Sequence, residues 1–364
     1  MDKVLIYAMS DGMGGVEEFV LNLSRYNARN KCEYEYIVLG DKTPYQKEME
    51  ELGVKYWFIP PKSSFFRNVK SLTSCFKERR KECGTIYFNT SALIYPIPYL
   101  LALLFRYRIV LHSHSTGTNG IRRYIHLFNR NWINKICSAR LACSMSAAEW
   151  MFGKRASKNK VTLIPNAIDL EKFQFSAEVR CKMRMELGVK DELVVGHVGR
   201  LTHVKNQSFL LSILREAQRC GIDCKLLLVG EGEDRDALMA QAEDFGIFER
   251  VIFYGQSFNI APLMSAMDCF VMPSFVEGFP VTVVEAQAAG LPCLLSSNIT
   301  SEINITGNIK FLPLDAPCSE WMNQIRDMAS NRYDGVAILQ ERGFSVSDLE
   351  ESVQKAIAYR STDG

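Results

Sequence analysis

Short runs of aliphatic and aromatic residues alternate along this chain with longer stretches whose apolar residues recur at helical spacing, and the whole alternation occurs twice. A strand buried on both faces reads as a continuous apolar run, and parallel neighbours need a helix between them. The pattern therefore restricts the chain to parallel sheets wound by helices. The first half places strands at 4–8, 34–39, 54–59, 85–88, 108–112, 139–143 and 161–164. The second half restarts at 194–199 and continues at 225–229, 251–254, 269–272, 293–295 and 309–312. With 364 residues and 47% hydrophobic content there is chain enough for two cores, so the expected fold class is α/β with two domains, residues 1–168 and 169–342. The stretch IPNAIDLEKF, with Pro165 and Asn166, is read as the linker, followed by a polar segment over 174–192. An amphipathic helix over 347–359 comes last. Two such domains facing each other form a cleft, with ligands expected beyond the carboxyl ends of the strands.

Several classes drop out. Eleven cysteines without a C-x-x-C pair suggest neither a disulfide framework nor a zinc site, and they fit a reducing, cytosolic compartment. The first apolar run is too short for a signal peptide and passes at once into glycines. The apolar stretch 92–105 is broken by Pro96 and Pro98 and falls short of the ~20 residues that span a bilayer, so no transmembrane segment is expected.

Formal charge is only +2, but it is unevenly spread: residues 61–160 hold 18 Lys and Arg against 3 Asp and Glu. The stretch is either a solvated basic face or the docking side for an anionic partner. No nucleic-acid-binding motif accompanies it, which leaves an anionic membrane surface or a phosphate-bearing acceptor.

The chemistry-bearing residues cluster after strands. Gly12, Gly14 and Gly15 follow the first strand, where backbone amides and a helix N-terminus suit a phosphate; a purely structural tight turn is the competing reading. The dinucleotide pattern G-x-G-x-x-G requires glycine at position 17, and Glu17 stands there, so a dehydrogenase is discounted. His112 and His114 end the fifth strand ahead of a Ser/Thr/Gly loop, and they are expected on opposite sides of it, with one facing the cleft. Arg200 follows the first strand of the second half and Lys205 precedes a helix, so both cations are expected to converge on one point as a diphosphate site that needs no metal.

The stretch PSFVEGFPVTVVEAQAAGLPC, 273–293, sets Glu277 in a loop and Glu285 inside a short apolar helix that starts near Pro280 and stops at Gly290. A carboxylate in that apolar company needs hydrogen-bonding partners, because burying it alone costs several kcal/mol. Vicinal hydroxyls supply them. Glu285 is thus expected on a ribose diol and Glu277 on a second sugar, with amides of Gly278 and Phe279 beside them and the two cations on the phosphates between. The outline is that of a nucleotide-diphosphate sugar.

The series GGVEEFVLNL, the histidine-bearing strand end, PNAID, VGRLTHVKN and EGFPVTVVEAQAAGLPC resembles the GT-B glycosyltransferases of family 4, with their E-x7-E motif, over nearly the whole chain. The run through NITSEINITGNIKFLPLD is similar to bacterial enzymes of capsular and exopolysaccharide assembly. The resemblance implies two Rossmann-like domains, an acceptor-binding one at 1–168 and a donor-binding one at 169–342. It also implies that the C-terminal helix, 343–364, returns to the first domain. It implies a retaining hexosyltransferase using a nucleotide sugar, UDP-linked in many members, with neither cofactor nor metal. In it Arg200 and Lys205 bind the leaving diphosphate and Glu285 holds the ribose. Glu277 and the backbone of Gly278, Phe279, Pro280 and Val281 hold the transferred sugar. Gly14 and Gly15 let diphosphate and acceptor meet, and Glu17 matches the glutamate of that loop. His114 aligns with the family's sugar-facing histidine, and His112 stands on the acceptor side. Ala167 in PNAID departs from the usual glycine and touches domain geometry. The expected partners are the donor, a lipid-linked or oligosaccharide acceptor and an anionic membrane met through 61–160, with no nucleic acid. The expected location is cytoplasmic, at the inner face of the cell membrane. Two other readings stay open: a nucleotide-sugar 2-epimerase of the same fold, and a non-catalytic nucleotide-sugar-binding module.

Overall fold

The computed structural model describes residues 3–10, 15–26, 34–118, 120–157, 161–329 and 331–358. The chain divides into two compact units, Met1–Ile168 with Phe344–Gly364, and Asp169–Gly343.

The first unit holds β1 (Lys3–Ser10), β2 (Tyr34–Leu39), β3 (Lys55–Ile59), β4 (Cys83–Thr90), β5 (Arg108–Ser113), β6 (Ala139–Ala142) and β7 (Thr162–Leu163). They form one parallel sheet in the order β3-β2-β1-β4-β5-β6-β7. The central strands are buried because both faces are covered: Ile6 pairs with Tyr36 on one side and Tyr87 on the other, and all three are fully buried. Strand order reverses between β1 and β4, so their carboxyl ends flank a topological switch point. Helix Gly15–Tyr26 packs Phe19, Val20 and Leu23 into this core, where Leu349 and Val353 of the last helix, Val346–Ala358, join them. The C-terminal helix therefore belongs to the first unit. Its entry is fixed by the Ile168 amide, which donates to the Phe344 carbonyl at 3.0 Å, and by an isolated parallel bridge from Ile168 to Ser345.

The second unit repeats the plan with β8 (Leu193–Val198), β9 (Cys224–Val229), β10 (Val251–Gly255), β11 (Cys269–Met272), β12 (Cys293–Ser296) and β13 (Ile309–Leu312), ordered β10-β9-β8-β11-β12-β13. Its switch point lies between β8 and β11. Trp321 is fully buried in this core, and its indole N–H donates to the Pro313 carbonyl at 3.2 Å, which meets the polar demand of an otherwise apolar ring.

The polar segment after the linker is more than a connection. Helix Ala177–Glu186 starts at Ser176, whose hydroxyl accepts from the Val179 amide, and it carries Arg180 and Arg184 to the end of helix Ala261–Ala266. There Arg180 donates to the carbonyls of Ser265, Ala266 and Met267 and pairs with Asp268, while Arg184 donates to those of Ala266, Lys190 and Glu192. Cations thus satisfy the orphan carbonyls of a helix C-terminus. Among the described residues, no helix is long and apolar enough to cross a membrane.

Candidate active site

Lys205 and Glu277 are brought together by the backbone beneath them. Lys205 ends a single 3-10 turn, His203–Lys205, after β8; Glu277 lies in the loop after β11. The two loops are joined by two hydrogen bonds: the Phe275 amide donates to the Val204 carbonyl at 2.9 Å, and Asn206 Nδ2 donates to the Pro273 carbonyl at 3.1 Å. Asn206 sits at φ 57°, the left-handed region that asparagine tolerates, and this turns the chain into helix Gln207–Arg219. The result is a Lys205 Nζ to Glu277 Oε1 distance of 2.5 Å, with the side chains only 22% and 12% exposed.

Arg200 stands on the neighbouring loop. Its carbonyl accepts from Gln207 Nε2 at 2.9 Å, and its guanidinium, 73% exposed, meets Glu233 at 3.2 Å. The flanking residues are held tightly: the Gly199 amide donates to the Val229 carbonyl and the Leu201 amide to the Glu231 carbonyl, both at 3.0 Å. A Cβ on Gly230, at φ 139°, would lie 2.1 Å from the Gly199 carbonyl oxygen, so only glycine lets these loops approach. Each of the two cations expected to share an anion therefore holds its own carboxylate here.

Behind Arg200 runs a buried relay that sequence reading missed. His197, inside β8, is wholly buried, and burial lowers its pKa to about 4. The neutral ring donates from Nδ1 to the Val271 carbonyl of β11 at 2.9 Å, which leaves Nε2 to accept from Gln207 Nε2 at 3.2 Å. Gln207 also holds the Arg200 carbonyl. One histidine thus ties β8, β11 and the Arg200 loop together. The only signal for it was a polar residue within the apolar run VVGHVG.

Helix Val281–Ala288 begins at Pro280, with no side chain capping its first amides, and is followed by Gly290 at φ 66°. Glu285 projects from its body at 9% exposure, between fully buried Val284 and Ala286. Gly278 is half-buried and Phe279 buried at the helix entrance. Gln287, fully buried, anchors the helix: its Oε1 accepts from the Ile305 and Thr306 amides and the Thr306 hydroxyl, and its Nε2 donates to the Ile303 carbonyl. This arrangement offers a cation, two carboxylates and a helix N-terminus without a side-chain cap at the carboxyl end of β11. It suits an anion flanked by hydroxylated rings.

In the first unit, the histidines correct the expectation of opposite sides. Residues two apart in a strand share a face, and the rings of His112 and His114 lie 4.0 Å apart. Phe19 meets both edge-on, at 4.9 and 4.7 Å. His112 is fully buried, its Nδ1 2.7 Å from the Tyr87 hydroxyl. Burial and the adjacent His114 push its pKa well down. His114 keeps the more exposed position, at 8%. Its Nε2 lies 2.9 Å from Asn89 and its Nδ1 3.2 Å from Asn166, and burial lowers its pKa to about 4. A neutral ring donates at one nitrogen only, so one amide must present its NH2. Asn89 answers this, because its Nδ2 has no other hydrogen-bond partner. Glu17, buried, and Gly15 stand at the start of helix Gly15–Tyr26, whereas Gly12 and Gly14 lie outside the described residues. Among the described residues, no group of three or more His, Cys, Asp or Glu side chains could hold a metal ion.

Comparison with known proteins agrees with this architecture. Residues 180–312 match the glycosyl transferases group 1 family, and residues 13–172 match glycosyltransferase family 4. EpsF of Bacillus subtilis (strain 168), a candidate glycosyltransferase, is 31% identical over 346 residues, which cover 90% of this chain and 88% of that one. The UDP-Gal:alpha-D-GlcNAc-diphosphoundecaprenol alpha-1,3-galactosyltransferase of Escherichia coli is 28% identical over 269 residues, 70% of this chain and 68% of that one. Among solved structures, Anabaena HepE in complex with UDP and glucose superposes with a TM-score of 0.83 at 21% identity, covering 98% of this chain and 100% of that one. The two parallel sheets, the ordered motifs and these matches together place the chain in glycosyltransferase family 4, with the GT-B fold.

Proposed function

We propose that this glycosyltransferase moves a hexosyl group, with retention, from a UDP-sugar to a hydroxyl of a lipid-linked or oligosaccharide acceptor in bacterial surface-polysaccharide synthesis. The observation that carries the reading is the Lys205–Glu277 pair at the β8/β11 switch point, with Glu285 on the helix beside it. The carboxylates now on Lys205 and Arg200 sit where phosphate oxygens would bind, and a donor would exchange them for its diphosphate. Glu277, once released, and the backbone of Gly278 to Val281 would take the transferred sugar, and Glu285 the ribose. The resemblance assigns His114, neutral here, to the transferred sugar and Glu17 to the acceptor side.

In the transfer step the bond from the sugar C1 to the β-phosphate oxygen breaks and a bond from C1 to the acceptor oxygen forms on the same face. The acceptor's proton passes to the leaving phosphate. Arg200, Lys205 and the helix N-terminus neutralise the developing charge, so no metal is required. The UDP donor and lipid-linked acceptor are supported by the E. coli relative, whose name carries both. A lipid-linked acceptor implies work at the inner face of the cell membrane, with the basic stretch 61–160 towards the lipid. The test is a panel of nucleotide sugars with a lipid-linked acceptor mixture, read by nucleotide release. Acceptor-dependent UDP release is expected. Conversion of the donor without acceptor would indicate an epimerase, and no turnover with any donor would leave a binding module.

A further inference from the structure

Helix Ile121–Ile136 has its polarity reversed. Its buried side carries His126, Asn129 and Ile133. His126 Nδ1 accepts from the Leu93 amide at 3.0 Å, its Nε2 donates to the Trp150 carbonyl at 3.2 Å, and Asn129 Nδ2 donates to the Leu93 carbonyl at 2.8 Å. The other side carries Ile121, Tyr124, Ile125 and Phe128, spaced at i, i+3, i+4 and i+7, and three of these are about three-quarters exposed: Ile121 at 76%, Tyr124 and Phe128 at 74%. A helix on a water-facing domain shows the opposite arrangement. Leu93, which this helix pins, leads into helix Ile97–Leu104, where Leu100, Leu103 and Leu104 are likewise exposed. Phe66 is exposed at the start of helix Phe65–Arg79, which packs against the 97–104 helix.

Charge identifies what covers this face. Neither helix 97–104 nor helix 121–136 contains an acidic residue, and Arg67, Arg106, Arg122 and Arg123 are exposed around the apolar side chains. A second copy of the chain docked face to face would set these arginines against like charges. An anionic bilayer accommodates both features, with acyl chains for the apolar stripe and lipid phosphates for the cations. We propose that helices 97–104 and 121–136 insert their exposed apolar side chains below the headgroups of an anionic membrane while the flanking arginines pair with lipid phosphate. This deepens the membrane-surface part of the proposed function, and it does not depend on the donor site.

The test uses the full chain with vesicles of phosphatidylcholine, alone or with phosphatidylglycerol, at low and high salt. Wild type should sediment with the anionic vesicles and keep a salt-resistant fraction. Replacing Ile121, Tyr124 and Phe128 together with serine should weaken that binding more than ~10-fold, since each loses a side chain worth burying. Its thermal melt should stay unchanged, because these side chains are exposed. The variant Phe128→Trp should gain fluorescence that brominated acyl chains quench. Equal binding by wild type and the triple variant, binding without quenching, or failure of wild type to bind anionic vesicles would each overturn the proposal; the last would point to a protein partner. Nucleotide release with a soluble acceptor, measured on the same preparations, reports the transferase reading separately and should not change in the triple variant.

Discussion

Lys205 Nζ lies 2.5 Å from Glu277 Oε1, across 72 residues of sequence, because the loops after β8 and β11 are zipped by Val204 and Asn206. In the proposed function the pair joins two groups with opposite tasks, one for phosphate and one for sugar. Lys205→Ala or Glu285→Ala should leave the protein folded by circular dichroism and slow turnover by ~100-fold or more, the loss expected when transition-state charge or donor anchoring is removed. Rates within threefold of wild type for both variants would make the site assignment untenable.

His114 is predicted to work as a neutral imidazole. Asn89→Asp would put a carboxylate 2.9 Å from its Nε2, and an adjacent negative charge raises a histidine pKa from the depressed value of about 4. The variant should keep activity at alkaline pH and lose it as pH falls through the raised pKa, giving an acidic limb that wild type lacks over the same range. A superimposable pH profile would show that Asn89 does not tune this ring.

Four histidines are buried neutral. His114, His126 and His197 have pKa values lowered to about 4, chiefly by burial, and His112 lies well below its usual 6.5. The unfolded chain therefore binds more protons than the native one below pH 6.5. Stability present above that pH is lost as pH falls towards 4, with a slope of up to about 1.4 kcal/mol per pH unit for each histidine. Thermal melts between pH 7 and pH 4.5 should show a steadily falling Tm, and a flat Tm over that window would contradict the buried neutral state.

If the diphosphate is held by Arg200, Lys205 and helix amides alone, chelation should not touch the chemistry. Turnover after exhaustive treatment with EDTA is expected to match that of untreated enzyme, and re-addition of magnesium or manganese should not raise it. A rate that collapses with chelator and returns with metal would reject metal independence.

Much of the fold was legible because parallel strands buried on both faces leave contiguous apolar runs: β2, β11 and β13 fall on the expected 34–39, 269–272 and 309–312. The placement of the candidate residues was legible too: Arg200, Lys205 and Glu277 lie after strands, and Glu285 lies within the helix Val281–Ala288. The carboxylate partners were not: the fold pairs Arg200 with Glu233 and Lys205 with Glu277. Such choices depend on contacts between loops far apart in sequence. His112 and His114 were misplaced because the strand period of two was applied as if it alternated them. The 174–192 segment was legible only as polar, yet its Arg180 and Arg184 are consumed by carbonyls at a helix end.

Gly290 tests whether the helix bearing Glu285 needs its particular ending. The residue follows Ala289 at φ 66°, and its added Cβ would lie 2.2 Å from the Tyr333 carbonyl oxygen. Two costs then add: the left-handed conformation, about 1–2 kcal/mol for a residue with a Cβ, and a backbone clash that no side-chain rotation relieves. The Tyr333 segment cannot simply retreat, because the Tyr333 hydroxyl lies 2.9 Å from Thr306 Oγ1, which itself donates to Gln287, and the Tyr333 amide donates back to the Gly290 carbonyl. Gly290→Ala should therefore lower the Tm of the second unit by roughly 4 °C or more, given about 2–4 °C per kcal/mol for a unit of this size. It should also weaken donor binding, because Glu285 rides on the same helix. A variant with unchanged Tm and unchanged UDP affinity would mean that the helix end relaxes freely and that Glu285 is positioned by its own contacts instead.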